Sequence, residues 1–317
     1  MKKLGCAIAV AGLIGTPAFA ADMGVPSAPP PAPVYNWTGW YVGVNAGASF
    51  GKAKTDFNDA TTLAATAHFA PPFLGDIPGT SNFGLGFSDT SAPGGFIGGG
   101  QIGYNWQYSP IIVVGLEADI QGALERDSAT LTHNFTGSIS GSGPCDGIGA
   151  TCSFSTSVAG SRVLDYQTKI DWFGTVRARI GYVWGNGNVM SYLTGGLAYG
   201  EVKINGTNSV SGTVSSAVPF SVIQSFGHSQ VNTGWVVGYG TEGVIDFWGA
   251  HNWTWKIEGL YMDLGHLDTT GSGGSTATGA FVPPVAPTIT VVGTGQTTTH
   301  SHFTDGILRA GLNYKFY

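Results

Sequence analysis

Charge is scarce in this sequence. Asp, Glu, Lys and Arg make up only 10% of its 317 residues, against about 25% in soluble domains. Basic residues are the scarcer sign, 13 against 19 acidic. Nucleic-acid binding needs clustered Lys and Arg to neutralise phosphates, so no such partner is expected. Long apolar runs are also missing: beyond residue 20 nothing approaches the roughly 20 consecutive residues of a spanning helix. Cysteine amounts to Cys6, Cys145 and Cys152.

The first 20 residues, MKKLGCAIAVAGLIGTPAFA, carry Lys2 and Lys3, an apolar stretch from Leu4 to Ile14, and the small-x-small site Ala18-Phe19-Ala20. That is the layout of a cleaved signal peptide. The apolar stretch is too short for a spanning helix and is broken by Pro17; Cys6 comes too early for a lipid-modified cysteine. Without Lys2 and Lys3 the formal net charge falls from -6 to -8. In an exported chain Cys145 and Cys152, which flank CDGIGATC, are expected to form a local disulfide. Two thiolates without a neighbouring histidine make the weaker case for a metal. Residues 21–35, ADMGVPSAPPPAPVY, read as an extended proline-rich linker.

What the chain does have is alternation. In residues 37–50, Trp40, Val42, Val44, Ala46, Ala48 and Phe50 face one way, and Tyr41, Gly43, Asn45, Gly47 and Ser49 the other. The same period of two returns at 96–108, 111–121, 168–184, 233–246, 252–262 and 304–317. In 168–184 the apolar face comprises Ile170, Trp172, Val176, Ile180, Tyr182 and Trp184. Residues 188–201 are strand-like but apolar on both faces, which leaves their lipid side open. Eight strands result. They are joined alternately by short turns, near 109–110, 185–188 and 248–251, and by long connections, 51–94, 122–167, 202–232 and 263–303. A soluble sandwich would hide its apolar face between two sheets. Here that face carries Trp and Tyr near strand ends, with Gly, Asn, Gln, Thr and opposed charges behind it, which suits a lipid-facing belt. The expected fold is all-β: an eight-stranded antiparallel transmembrane β-barrel over residues 36–317, with short periplasmic turns and four long, mobile, partly ordered extracellular loops.

The inward positions hold Glu117, Asp119, Glu242 and Glu258 against Arg177, Arg179, Lys256 and Arg309. An eight-stranded barrel is just wide enough for side chains to fill, and charges held there need partners. Pairs between Glu117 or Asp119 and Arg177 or Arg179 are expected, making an ionic plug. A selectivity constriction in a narrow porin-like channel is the alternative.

The entry strand YNWTGWYVGVNAG (35–47), the ending ILRAGLNYKF (307–316) and the proline-rich start of the mature chain resemble the small outer-membrane surface antigens of alphaproteobacteria. These are opacity-type eight-stranded barrels, often labelled porin family proteins. The resemblance implies an outer-membrane location among outer-membrane lipid, and a closing strand whose Tyr314, Phe316 and Tyr317 are read by the barrel-assembly machinery. It departs by one residue, since Tyr317 follows Phe316. Some members are linked to haemin binding. Six histidines, His68, His133, His228, His266, His300 and His302, fall in or beside the long connections. His300 and His302 share a face of an extended segment and are weak candidates for a metal. The nearest set for catalysis, Asp263 and His266 with His300 or His302, lacks a well-placed nucleophile. No enzyme activity and no cofactor are expected; the loops are expected to meet an extracellular ligand or host surface.

Overall fold

The computed structural model describes residues 35–69, 75–145, 149–215, 217–247, 250–280 and 288–316. Residues 1–34, on which the expected signal peptide and most of the expected linker fall, and Tyr317 lie outside them. The described residues form nine strands: β1 Gly39–Phe69, β2 Gly75–Ser91, β3 Gly94–Ser109, β4 Ile112–Pro144, β5 Thr151–Trp184, β6 Val189–Val214, β7 Val218–Phe247, β8 Ala250–Ala280 and β9 Thr288–Lys315. All pairings are antiparallel, in the order β2-β1-β3-β4-β5-β6-β7-β8-β9, and β1 also pairs with β9, which closes the ring.

The extra strand has a simple origin. Phe50 lies opposite Gly94 and Ala53 opposite Ser91, so β3 and β2 run along β1 in one unbroken register. They are two lengths of one line, parted at Ala92-Pro93, where proline has no N–H for the ladder. Eight staves therefore close the ring at the level of β3. Higher up, β2 takes the place of β3 beside β4, and the Ala92 amide donates to Asp127 Oδ2 at 2.7 Å across that seam.

The four long connections depart from expectation. They are mostly ladder, with β4–β5 pairing as far as Pro144 opposite Thr151 and β6–β7 as far as Val214 opposite Val218. The reason is visible along β1. Even-numbered residues point outward throughout, but their chemistry changes from Trp40, Val44 and Phe50 to Lys52, Lys54, Asp56 and Asn58. Odd-numbered residues change in the opposite sense, from Asn45 and Ser49 to Phe57, Leu63, Ala65 and Ala67. The period of two continues while the apolar face moves from outside to inside. Such a swap marks the passage from lipid to water.

Register irregularities gather at that passage: Gly122/Glu125 in β4–β5, Ile170/Trp172 in β5–β6 and Asp263/Gly265 in β8–β9. A bulge inserts one residue and reverses the facing of the strand beyond it. It explains Ile170, expected on the lipid face but buried in the interior at 1% exposure. Gly265 supplies the positive φ, 73°, that one of these bulges uses.

The apolar belt ends in aromatics at both rims: Trp40, Trp106, Tyr108, Trp184, Trp253 and Phe316 towards the chain termini, and Phe50, Phe96, Trp235 and Tyr261 at the far rim. Trp40 is 58% and Phe50 67% exposed, as side chains bathed by lipid would be. Within β6, Leu193 and Leu197 point outward while Met190 and Tyr192 point inward, which settles the lipid side of that strand.

Above the belt the interior is a packed core. Phe57 sits among Phe87, Tyr166 and Phe226, with ring centroids 5.2, 4.9 and 6.3 Å away, and Leu164, Ile204, Met262 and Phe303 complete this layer. A polar knot lies above it. Asn208 Nδ2 donates to Asp59, Gln224 and Thr297, and Asp59 is ion-paired with Arg162. A second apolar layer of Leu63, Ile139, Val158, Val210, Val222 and Val291 fills the tip. Truncating a buried phenylalanine costs about 3–5 kcal/mol. Phe57→Ala is therefore expected to lower the thermal midpoint of the folded protein and expose residues 51–69 to limited proteolysis. An unchanged digestion pattern would mean that this stretch is a loop.

Candidate functional site

The eight inward charges come from five strands: Glu117 and Asp119 on β4, Arg177 and Arg179 on β5, Glu242 on β7, Lys256 and Glu258 on β8, and Arg309 on β9. Each is no more than 5% exposed. Arg177 is the hub. Its Nη2 donates to Glu117 Oε1 at 2.5 Å and Asp119 Oδ2 at 3.0 Å, and its Nη1 to Glu258 Oε1 at 2.8 Å. Arg309 Nη2 reaches Glu258 Oε2 at 2.7 Å and Asp119 Oδ2 at 2.8 Å. Lys256 Nζ lies 2.8 Å from Glu117 Oε1, and Arg179 Nη1 lies 3.1 Å from Glu242 and 3.5 Å from Glu117. Four anions and four cations thus pair with one another across the lumen.

Neutral donors and acceptors complete the network. Tyr41 donates to Glu117 Oε2 at 2.7 Å and Tyr192 to Glu258 Oε1 at 3.1 Å. Thr175 donates to Asp119, and Thr254 and Asn313 to Glu242. Gln101 accepts from Lys256 and Asn105 from Arg179. With these residues all eight staves, β1 and β3 to β9, contribute at this level. Inward glycines supply the room: a Cβ on Gly103 would lie 2.1 Å from the Tyr41 hydroxyl, and one on Gly240 2.5 Å from that of Tyr192.

Trp37 closes the mouth nearest the chain termini. It is buried among Tyr35, Val113, Val183, Met190 and Tyr192; its backbone N–H donates to Gln107 and its indole N–H to the carbonyl of Gly187. Alternation gave no hint of this cap, because Trp37 precedes the first strand.

The remaining sequence candidates lie elsewhere. Cys145 and Cys152 are joined, with Cα atoms 5.5 Å apart, near the distal tip. In the closing strand Tyr314 packs edge-on against Trp253 and Phe316, and the Phe316 amide donates to the Trp40 carbonyl. His266 stacks on His300 and His302 with centroids 4.7 and 4.4 Å apart. Asp263 contacts His302, at 3.1 Å, and Asp268 pairs with His300. The set of Asp263 and His266 with His302 is thus brought together, with His302 as the aspartate's histidine partner. The stacked rings are nearly parallel, within 21° and 14°. Their in-plane nitrogen lone pairs therefore run alongside one another and do not converge on one ion. His68 pairs with Asp76 and Thr290, and His133 lies beside Phe87. His228, opposite Ile204 in the β6–β7 ladder, lies apart from these.

Removing one partner of a buried ion pair strands the other, at a cost of about 3–5 kcal/mol. Arg177→Ala takes one cationic partner from three carboxylates and leaves four anions to three cations, and is expected to lower the free energy of urea unfolding in detergent micelles by about that much. Lys54→Ala on the outer face should change stability by less than about 0.5 kcal/mol. Equal effects would remove the network from the centre of the barrel's stability.

No family model matches this chain. Two curated proteins do: the 31 kDa outer-membrane immunogenic proteins of Brucella melitensis biotype 1 and Brucella suis biovar 1. Each is 37% identical over 265 residues, an alignment covering 81% of this chain and 85% of theirs. Among solved structures, the attachment invasion locus protein Ail of Yersinia pestis aligns with 78% of this chain and 98% of its own, at 11% identity and a TM-score of 0.24. That likeness is too slight to bear on the fold. Identity of 37% over most of both chains places the ring of strands in a known group: the chain belongs to the 31 kDa outer-membrane immunogenic protein family and is an outer-membrane surface antigen.

Proposed function

We propose that this protein is a sealed eight-stave barrel whose work is done outside the membrane. In this reading the spanning part is an anchor with an ionic plug, and the long rigid extension presents surfaces to an extracellular ligand or host while stiffening the envelope. The observation that carries it is the Arg177-centred network. It draws on all eight staves, matches four cations to four anions, and leaves each of the eight no more than 5% exposed. The Trp37 cap and the apolar layer around Phe57 close the same axis on either side. The name of the relatives, immunogenic, fits an extension that stands clear of the lipid. The barrel-assembly machinery would read the closing strand through Tyr314 and Phe316. The stacked histidines give haemin or metal capture no geometric support.

A narrow porin-like channel is the second reading, favoured only by the polarity of the lumen lining. Conductance in a planar bilayer separates the two. The folded mature chain is expected to give no resolved openings, and Arg177→Ala to stay silent as well, because the Phe57 layer still blocks the axis. Stable wild-type openings that widen in Arg177→Ala would establish the channel and end the sealed reading.

A further inference from the structure

The four-to-four balance of the network leaves two interior carboxylates out. Glu125 on β4 and Asp305 on β9 are buried at 0% and 1% exposure, at the end of the network nearest the cell exterior. No basic side chain among the described residues forms an ion pair with either; the charge that acts on Asp305 is that of Glu125 itself. Both oxygens of Glu125 and Oδ2 of Asp305 lack a hydrogen-bond partner. Asp305 Oδ1 accepts from the Phe50 amide at 3.1 Å. Ser49 lies near both carboxyls, 2% exposed, and its hydroxyl makes a well-formed hydrogen bond to neither.

The ladder explains how these groups meet. Ser49 on β1 pairs with Gly95 on β3, and a Cβ on Gly95 would lie 3.1 Å from the Glu125 amide nitrogen. With glycine there, no side chain stands between the serine and the glutamate. Glu125 keeps the inward facing that Glu117, Asp119 and Gln121 have along β4. Two buried negative charges with four unpaired oxygens around them are costly. One dication cancels the charge and uses the oxygens together.

We propose that Glu125, Asp305 and Ser49 bind a buried divalent cation of the calcium class. All the donors are oxygens, with no nitrogen or sulfur among them, which suits a hard ion and not zinc or copper. Bound there, the ion ties β4 to β1 and β9, the two strands whose pairing closes the ring, at the level where the wall passes from lipid to water. The competing arrangement keeps both carboxyls protonated, with no ion.

The folded mature protein, stripped with EDTA and then dialysed against calcium, is analysed by atomic emission and thermal unfolding in micelles. About one calcium per chain is expected, together with a higher midpoint than in EDTA, since a ligand of the folded state alone stabilises it. The double variant Glu125→Gln/Asp305→Asn removes both charges while keeping side-chain size, and should lose the ion and the shift. Gel mobility before and after boiling reports whether it folds. If it does not fold, Ser49→Ala takes its place and should need more calcium for half-maximal stabilisation. A wild-type protein without calcium and indifferent to EDTA overturns the proposal in favour of protonated carboxyls. Calcium held equally well by the variant overturns it too, because the ion would then sit elsewhere.

Discussion

A strand crossing lipid finds no water for its amides and carbonyls, so every one of them must be bonded to a neighbour, and the sheet must close. The pairing of β1 with β9 meets that demand. It runs from Tyr41 opposite Lys315 to His68 opposite Thr288, well beyond the belt. Closure at eight staves then sets the bore, and the bore sets what can fill it. Inward glycines such as Gly103 and Gly240 become necessary, because Tyr41, Tyr192 and four long cationic side chains must share one narrow cross-section.

The same ladder continues into water, where the demand on the side chains reverses. In lipid the outside must be apolar and the inside can be polar; in water the outside must be polar and the inside must supply the hydrophobic stabilisation. β1 meets both without changing its facing, by exchanging the chemistry of its odd and even positions near Gly51. β5 and β8 instead change facing at a bulge, at Ile170/Trp172 and Asp263/Gly265. The extension then has its own core, around Phe57 and again around Leu63, with the Asp59–Arg162 knot between. Such a core ties the described ends of the strands together well beyond the belt.

These physical demands also explain which features the sequence makes legible. The spanning strands were legible because lipid enforces a single contrast, apolar against small or polar, and the eight interior charges stood out against it. The extension was not. Stretches such as GSGGSTATGA (271–280) have the composition of a flexible loop, and alternation there survives as a contrast between small residues, with the sense reversed. Ile170 was misplaced because a one-residue bulge leaves no mark on composition. Trp37 escaped notice because a cap is held by tertiary contacts and not by a period. Ala92-Pro93 was visible as a proline, but only the common register of β2 and β3 shows that it parts a single line.

The ion pairs bear on specificity as well as stability. Replacing a buried ion pair by well-packed apolar groups is often neutral or stabilising, so stability alone is a weak reason for this one. Register is a stronger reason. A slip of one residue between β4 and β5 would turn Glu117 and Asp119 outward into lipid while leaving Arg177 and Arg179 inside without partners. A slip of two would set Glu117, now opposite Arg177, against Thr175 or Arg179 and disturb the contacts that Arg177 makes with Glu117 and Asp119. Small side chains such as Gly, Ala and Thr, which make up much of this wall, specify register poorly by packing. A charged cross-section that is satisfied in one alignment only supplies the missing discrimination, and it does so where all eight staves can be checked against one another at once.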